Sequence, residues 1–179
     1  MKSKSKEIKL TATSYALMAM LQEFGEMTSY GIKQAMESTI QNFWPVPHTT
    51  AYEEPARLAE AGYLAARQEE GGRRRRVYSL TDSGRKVLAK WAADSDATPP
   101  QLRDEAILKV FAGADPDALY DSRVAWHREK LVELQGYLNL TRLGKGFGRS
   151  ERTLLAGLAY HQKMFEAIEM AAKERGSKK

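Results

Sequence analysis

Four consecutive arginines, Arg73, Arg74, Arg75 and Arg76, follow the pair Gly71-Gly72. A guanidinium group stays charged at any useful pH and grips phosphate oxygens with two parallel hydrogen bonds. The Gly-Gly pair lies between two extended stretches, 63–68 and 77–80, and such a pair marks a hairpin. The arginines therefore stand on a loop, from which they can enter or straddle a minor groove. Taken alone, such a run is more often a solvated or nonspecific patch. A second feature changes that weighing. The stretch 49–61 reads as a helix with Ala51, Pro55, Leu58 and Ala59 on one face and Thr49, Tyr52, Glu53, Ala56 and Arg57 on the other. A helix about 10–12 Å across fits a major groove about 12 Å wide. A polar helix face followed by a basic hairpin is a combination suited to reading DNA.

Other residues admit chemistry and are weighed against plainer roles. His127 and His161 fall in the apolar seams of two long helices, where hydrogen-bonded core or interface histidines are common. The sharper expectation is that they line an effector pocket with Trp126. A shared metal ion would need further ligands, and no acidic cluster stands at ligand spacing beside them. Trp44 and Trp91 read as core or interface residues. The segment 144–150, Gly-Lys-Gly-Phe-Gly-Arg-Ser, lacks the spacing of a phosphate-binding loop and reads as an interhelical turn. Asp104 and Glu105 oppose a helix dipole and need no acid–base role. No feature points to an enzyme, and neither a cofactor nor a metal is expected.

The elements that must position these groups follow from periodicity. Helices are expected at 13–24, where Leu17, Met20, Leu21 and Phe24 share a face, at 29–39, at 49–61 and at 82–93. Pro55 lies beyond the first turn of its helix and should bend it. Residues 1–9 read as a basic tail, and the polar stretch 94–100, ending in Pro-Pro, as a domain boundary. Beyond it the chain reads as a short helix at 104–111 and two long ones, from Pro116 and from Ser150. Their apolar seams (Tyr120, Val124, His127, Leu131, Leu134, Leu138; then Leu154, Leu158, His161, Phe165, Ile168, Ala172) want helical partners in the same chain or in a second one. The final stretch, 173–179, should fray.

Composition bounds the rest. The chain has 179 residues, 42% of them hydrophobic and 28% charged, with a net charge of +5 that weakly favours a polyanionic partner. The absence of cysteine excludes disulfides, thiolate zinc sites and a cysteine nucleophile. No apolar stretch follows the lysines of the N-terminus and no run of about 18 apolar residues exists, so a cytoplasmic protein without membrane contact is expected.

The segments Phe43-Trp44-Pro45-Val46, Thr50-Ala51-Tyr52, Arg57-Leu58 and Gly62-Tyr63-Leu64 resemble the recognition-helix region of PadR-type regulators. Arg73 to Thr81, with Gly84-Arg85, resembles the wing and following helix of that family. Tyr30-Gly31-Ile32 resembles the start of its second helix, and the stretch 102–109 the opening of the C-terminal helical domain of its longer members. The resemblance implies a homodimeric transcription factor, usually a repressor, that small molecules such as phenolic acids release from DNA. It also implies DNA contacts at Tyr30, Thr49, Thr50, Tyr52 and the wing arginines, to which Arg57 and Tyr78 are added. The stretch 50–55 departs from the commoner pattern, in which proline directly follows the tyrosine.

The expected fold is mainly α with a small two-stranded β wing: a winged helix-turn-helix over 10–95 and a C-terminal helical, coiled-coil-like domain over 101–175. Val124, Leu131, Leu134, Leu138, Leu158 and Phe165 are the expected dimerisation residues, and Trp126, His127 and His161 the expected site for a small aromatic effector. The expected function is a ligand-responsive repressor acting as a homodimer on a pseudo-palindromic double-stranded operator. The alternative is a winged-helix protein-interaction module that does not touch DNA.

Overall fold

The computed structural model describes residues 8–41, 43–69, 75–101, 103–144 and 151–176, the last with side chains to 170. The start of the basic tail, the Gly71-Gly72 turn with Arg73 and Arg74, the glycine-rich turn at 145–150 with the Ser150 cap, and the side chains of the C-terminal stretch lie outside the described residues. The chain forms two compact units, Met1–Thr98 and Pro99–Lys179.

The first unit runs α1 (Ala12–Phe24), β1 (Met27–Thr28), α2 (Ser29–Thr39), α3 (His48–Glu60), β2 (Leu64–Gln68), β3 (Arg76–Leu80) and α4 (Asp82–Ala93). Each of α1, α2 and α4 starts at a threonine whose hydroxyl accepts a first-turn N–H: Thr11, Thr28 and Thr81. At α1 the cap is reciprocal, because Ser14 Oγ accepts from the Thr11 N–H. Leu17, Met18, Ile32 and Leu58 are fully buried at the centre, with Leu64, Tyr78, Leu80 and Leu88 around them. Ile8 and Leu10 also pack on this core. Anchored apolar side chains thus replace a free tail at its end.

The sheet has three strands rather than two, in the order β1-β3-β2. β1 is only Met27 and Thr28, paired antiparallel with Tyr78 and Val77. Two residues show no alternation, so nothing in the sequence marks them as a strand. Gly25, at φ +80°, makes the turn into it. Pro55 sits inside α3 without ending it. Gly84 is required by contact: a Cβ there would collide with the Tyr63 carbonyl and come 2.7 Å from Leu80 Cδ1. That carbonyl accepts from the Thr81 N–H and hydroxyl, tying the turn between α3 and β2 to the start of α4.

The second unit is helical: α5 (Glu105–Phe111), α6 (Pro116–Arg142) and α7 (Glu151–Gly176). Asp104 caps α5 through one carboxylate oxygen, and its other oxygen accepts from Arg123 of α6 at 2.6 Å. Asp115 caps α6, with Pro116 at its first turn. The helices α6 and α7 pack along each other through Leu134, Leu138, Leu154, Tyr137 and Leu158.

Candidate nucleic-acid interface

Helix α3 has two chemically distinct faces. Ala51, Glu54, Pro55 and Leu58 are buried, while His48, Thr49, Tyr52 and Glu53 are exposed and Thr50 is half-buried. The Tyr52 ring lies 4.8 Å from the His48 ring one turn earlier. Tyr30, on α2, is exposed and accepts a hydrogen bond from Gln34. Lys33, one turn along from Tyr30, pairs with Glu37 at 2.8 Å. Its pKa is raised, first by the hydrogen bond to Glu37, with smaller contributions from Tyr52 and Tyr30. The structure thus brings Tyr30, Lys33 and Tyr52 into one neighbourhood between α2 and α3. Phe43 and Trp44, in the connection before α3, are exposed, and Trp44 Nε1 donates to Thr13 Oγ1 at 3.4 Å.

The β2–β3 hairpin carries the basic charge. Arg76 pairs with Gln68 in the ladder, Glu69 N–H donates to the Arg75 carbonyl, and both arginine side chains are exposed. Arg73 and Arg74 continue the run outside the described residues. Tyr78 is different. It stands in the central strand, is 3% exposed and belongs to the core. That burial speaks against its assignment as a DNA contact: it pairs with Met27 of β1 and Ala66 of β2 and packs in the core.

Arg57 is half-buried and engaged within the chain. Its guanidinium grips the Glu54 carboxylate with two bonds of 2.7 and 2.6 Å, and donates to Ser14 Oγ and to the Lys9 carbonyl. Ser14 Oγ in turn donates to Glu54 Oε1 at 2.6 Å. Burial by itself would raise the pKa of Glu54. The hydrogen bonds from Arg57 and Ser14, with the charge of Arg57, outweigh burial and hold the carboxyl below its ordinary value. Arg57 therefore bolts α3 to the start of α1. Sequence reasoning missed Ser14 and Glu54. The available signal was Glu54 standing among Ala51, Pro55 and Leu58, three residues before an arginine able to neutralise it.

In the second unit the expected dimerisation residues divide. Val124, Leu134 and Leu138 are buried within the chain, and Leu134 packs 3.2 Å from where a Cβ of Gly157 would stand. Leu134 and Leu138 belong to the apolar cluster that α6 forms with α7 of the same chain. Leu131 and Leu158 are half-buried and line an open cleft with Val132, Gln135 and Gly136. Phe165 is half-buried, with the Arg128 guanidinium 5.7 Å from its ring centre.

His127 and His161 are both buried, with Nδ1 atoms 3.0 Å apart. A neutral pair satisfies itself, one Nδ1–H donating to the other ring's lone pair. Both pKa values are lowered, chiefly by burial. Trp126 is half exposed, its ring edge-on to both histidines at 4.8 and 5.2 Å. Among the described residues no group of three or more histidine, aspartate or glutamate side chains stands at metal-ligand spacing. Trp91 is 44% exposed rather than core, stacked flat on Tyr15 at 4.7 Å.

Residues 17–90 match the family described as transcriptional regulator PadR-like. The chain carries a PadR-like domain. That family is one of transcriptional regulators. The chain is similar to the negative transcriptional regulator PadR of Bacillus subtilis, 27% identical over 129 residues that cover 68% of this chain and 70% of that one. The crystal structure of that regulator in complex with operator DNA superposes with a TM-score of 0.76, at 23% identity, covering 92% of this chain and 98% of that chain. Its complex with p-coumaric acid gives a TM-score of 0.68, at 22% identity, over 90% and 96% of the two chains. These likenesses establish the PadR-like fold beyond the matched domain. Among the described residues no helix is long and apolar enough to cross a membrane.

Proposed function

We propose that this protein is a cytoplasmic transcriptional repressor that binds a pseudo-palindromic operator as a homodimer and is released by a small aromatic effector. One observation carries the reading. The exposed face of α3 offers Thr49 and Tyr52, beside Tyr30 of α2, in a PadR-like domain whose hairpin presents exposed arginines. The helix N-terminus enters the major groove, where short polar side chains meet base edges. Arg75 and Arg76, continued by Arg73 and Arg74, hold the flanking phosphates and supply affinity without sequence information. A two-fold dimer sets the half-sites about one turn, ~34 Å, apart.

The repressor sign and the aromatic effector rest on the similar Bacillus subtilis regulator, described as negative and solved with p-coumaric acid. We place the effector at the Trp126 edge of the His127–His161 pair, where an exposed indole meets two buried imidazoles. The dimer reading is supported by apolar side chains left exposed in the second unit, among them Leu108, Phe111 and Val132.

Selection of bound sequences from a random duplex pool tests the core of this proposal. A symmetric pair of half-sites is the expected result. Failure to bind any duplex at low salt, with or without Arg75 and Arg76, would leave the domain as a protein-interaction module instead.

A further inference from the structure

The exposed face of α3 contains a charge of the wrong sign for a DNA surface. Glu53 is the sixth residue of the helix, one turn after Thr49, and its side chain points to solvent. The neighbouring Glu54 turns inward to Arg57 and Ser14. Glu53 has no such escape: among the described residues it makes no hydrogen bond or ion pair. Over the first two turns, the exposed residues around it are His48, Thr49 and Tyr52.

A free carboxylate brought into a groove lined by phosphates is repelled by them, and it loses its water. Both costs are reduced only where it meets a hydrogen-bond donor. An ionised carboxylate only accepts. In the major groove cytosine presents the N4 amino group as a donor, and acidic side chains pair with it. Adenine also presents an amino group, but the acceptor N7 lies beside it and opposes a second carboxylate oxygen. Guanine and thymine present acceptors there, which leave the carboxylate unpaired. Such a residue chooses its base mainly by penalising the others.

We infer that Glu53 is a specificity-determining residue that reads the N4 amino group of one cytosine in each operator half-site. The inference rests on α3 being the DNA reader. Its test is base preference at every operator position for the full-length wild type, Glu53→Gln and Glu53→Ala, with thermal melting to show that each variant folds. The wild type should require cytosine at one symmetry-related position per half-site, by roughly 5–150-fold over other bases. Glu53→Gln should move that position toward adenine, whose N6 and N7 glutamine matches. Glu53→Ala should erase the preference there and leave the other positions unchanged. Variants that only bind all sequences more tightly, with the wild-type preferences intact, would overturn the inference and leave α3 as the reader. A wild type that selects no sequence would instead overturn the reader assignment itself, and Glu53 with it.

Discussion

The two units solve the same problem differently. The first buries Leu17, Met18, Ile32 and Leu58 completely, and its buried carboxylate, Glu54, is neutralised by Arg57. The second closes a much smaller apolar cluster of Leu134, Leu138 and Leu154, and adds a histidine pair. It leaves Phe111 88%, Val132 71% and Leu108 63% exposed. A folded unit that keeps this much apolar surface in water is built to have it covered. The exposed aromatics of the first unit reach 54% at Tyr30 and Phe43 around a large closed core, whereas the second unit, on the homodimer reading, is half of an interface. The sharpest way to break this comparison is to charge that surface. Phe111→Asp combined with Val132→Asp should turn a dimer into a monomer by light scattering. Operator affinity should then fall about 10²–10⁴-fold, because the second half-site is no longer tethered to the first. A double variant that stays dimeric would show that a second copy covers neither side chain.

Within the first unit a smaller effect separates the two parts of the candidate interface. Arg75→Ala with Arg76→Ala should weaken binding to every duplex alike, because phosphate contacts carry no sequence information. If each protomer makes about 3–5 basic contacts, the wild-type dimer should show a log–log salt slope of roughly −5 to −9. Each lost phosphate contact should flatten that slope by about 0.9. Thr49→Ala or Tyr52→Phe, by contrast, should change which sequences are preferred and leave the slope nearly unchanged. An unchanged slope in the arginine variant would remove the hairpin from the phosphate-binding role.

The limits of sequence reading also follow the line between the units. In the first, periodicity and threonine caps placed α2 and α4 at their observed bounds, and the stretches expected to pair on either side of Gly-Gly do pair, as β2 and β3. Local signals suffice there because each helix has one apolar face toward one core. β1 escaped because its two residues are a strand only through their pairing with Val77 and Tyr78. Tyr78 was misplaced because a tyrosine beside four arginines looks like a surface residue, and its burial depends on being in the middle strand. The tie from Arg57 to α1 escaped for a related reason: its partner Ser14 is 43 residues away. In the second unit the seams were legible but their partner was not. A seven-residue repeat shows that a helix packs against another, and says nothing about whether that helix belongs to the same chain.

The Glu54 ion pair offers a stability test of the first unit. Glu54→Ala removes the acceptor for Arg57 and Ser14. The Arg57 side chain is 38% exposed and can recover water, so the loss should be about 1–3 kcal/mol rather than the larger cost of stranding a fully buried charge. Denaturant unfolding of the full chain, followed at Trp44 and Trp91, would measure it. A loss below about 0.5 kcal/mol, the range of ordinary surface substitutions, would mean that the pair does not hold α3 to α1.

The mildest perturbation is acid, and it should strike the units in opposite order. His127 and His161 have an ordinary pKa of 6.5, and the folded values are lower. Burial is the main cause in each. The charge of Arg123 adds to it for His127, and His127 and Lys130 add to it for His161, against opposing effects of Asp104 and Glu133. Above pH 6.5 both states hold neutral rings and the pair contributes its full stability. As pH falls through 6.5 the unfolded chain takes up protons first, so the stability of α6 and α7 declines until the folded values are reached. Geometry sharpens the effect, since a second proton would set N–H against N–H across the 3.0 Å contact. Glu54 has the same sign at a lower pH: its folded pKa lies below 4.5, and its contribution is lost only as pH falls past that value. Between pH 7 and 5.5, hydrogen-exchange protection, taken relative to the intrinsic rate at each pH, should therefore fall in α6 and α7 while it holds in α1 and α3. His161→Phe should remove that difference by removing the partner of His127. An equal fall of protection in both units would mean that the histidine pair is not what makes the second one acid-sensitive.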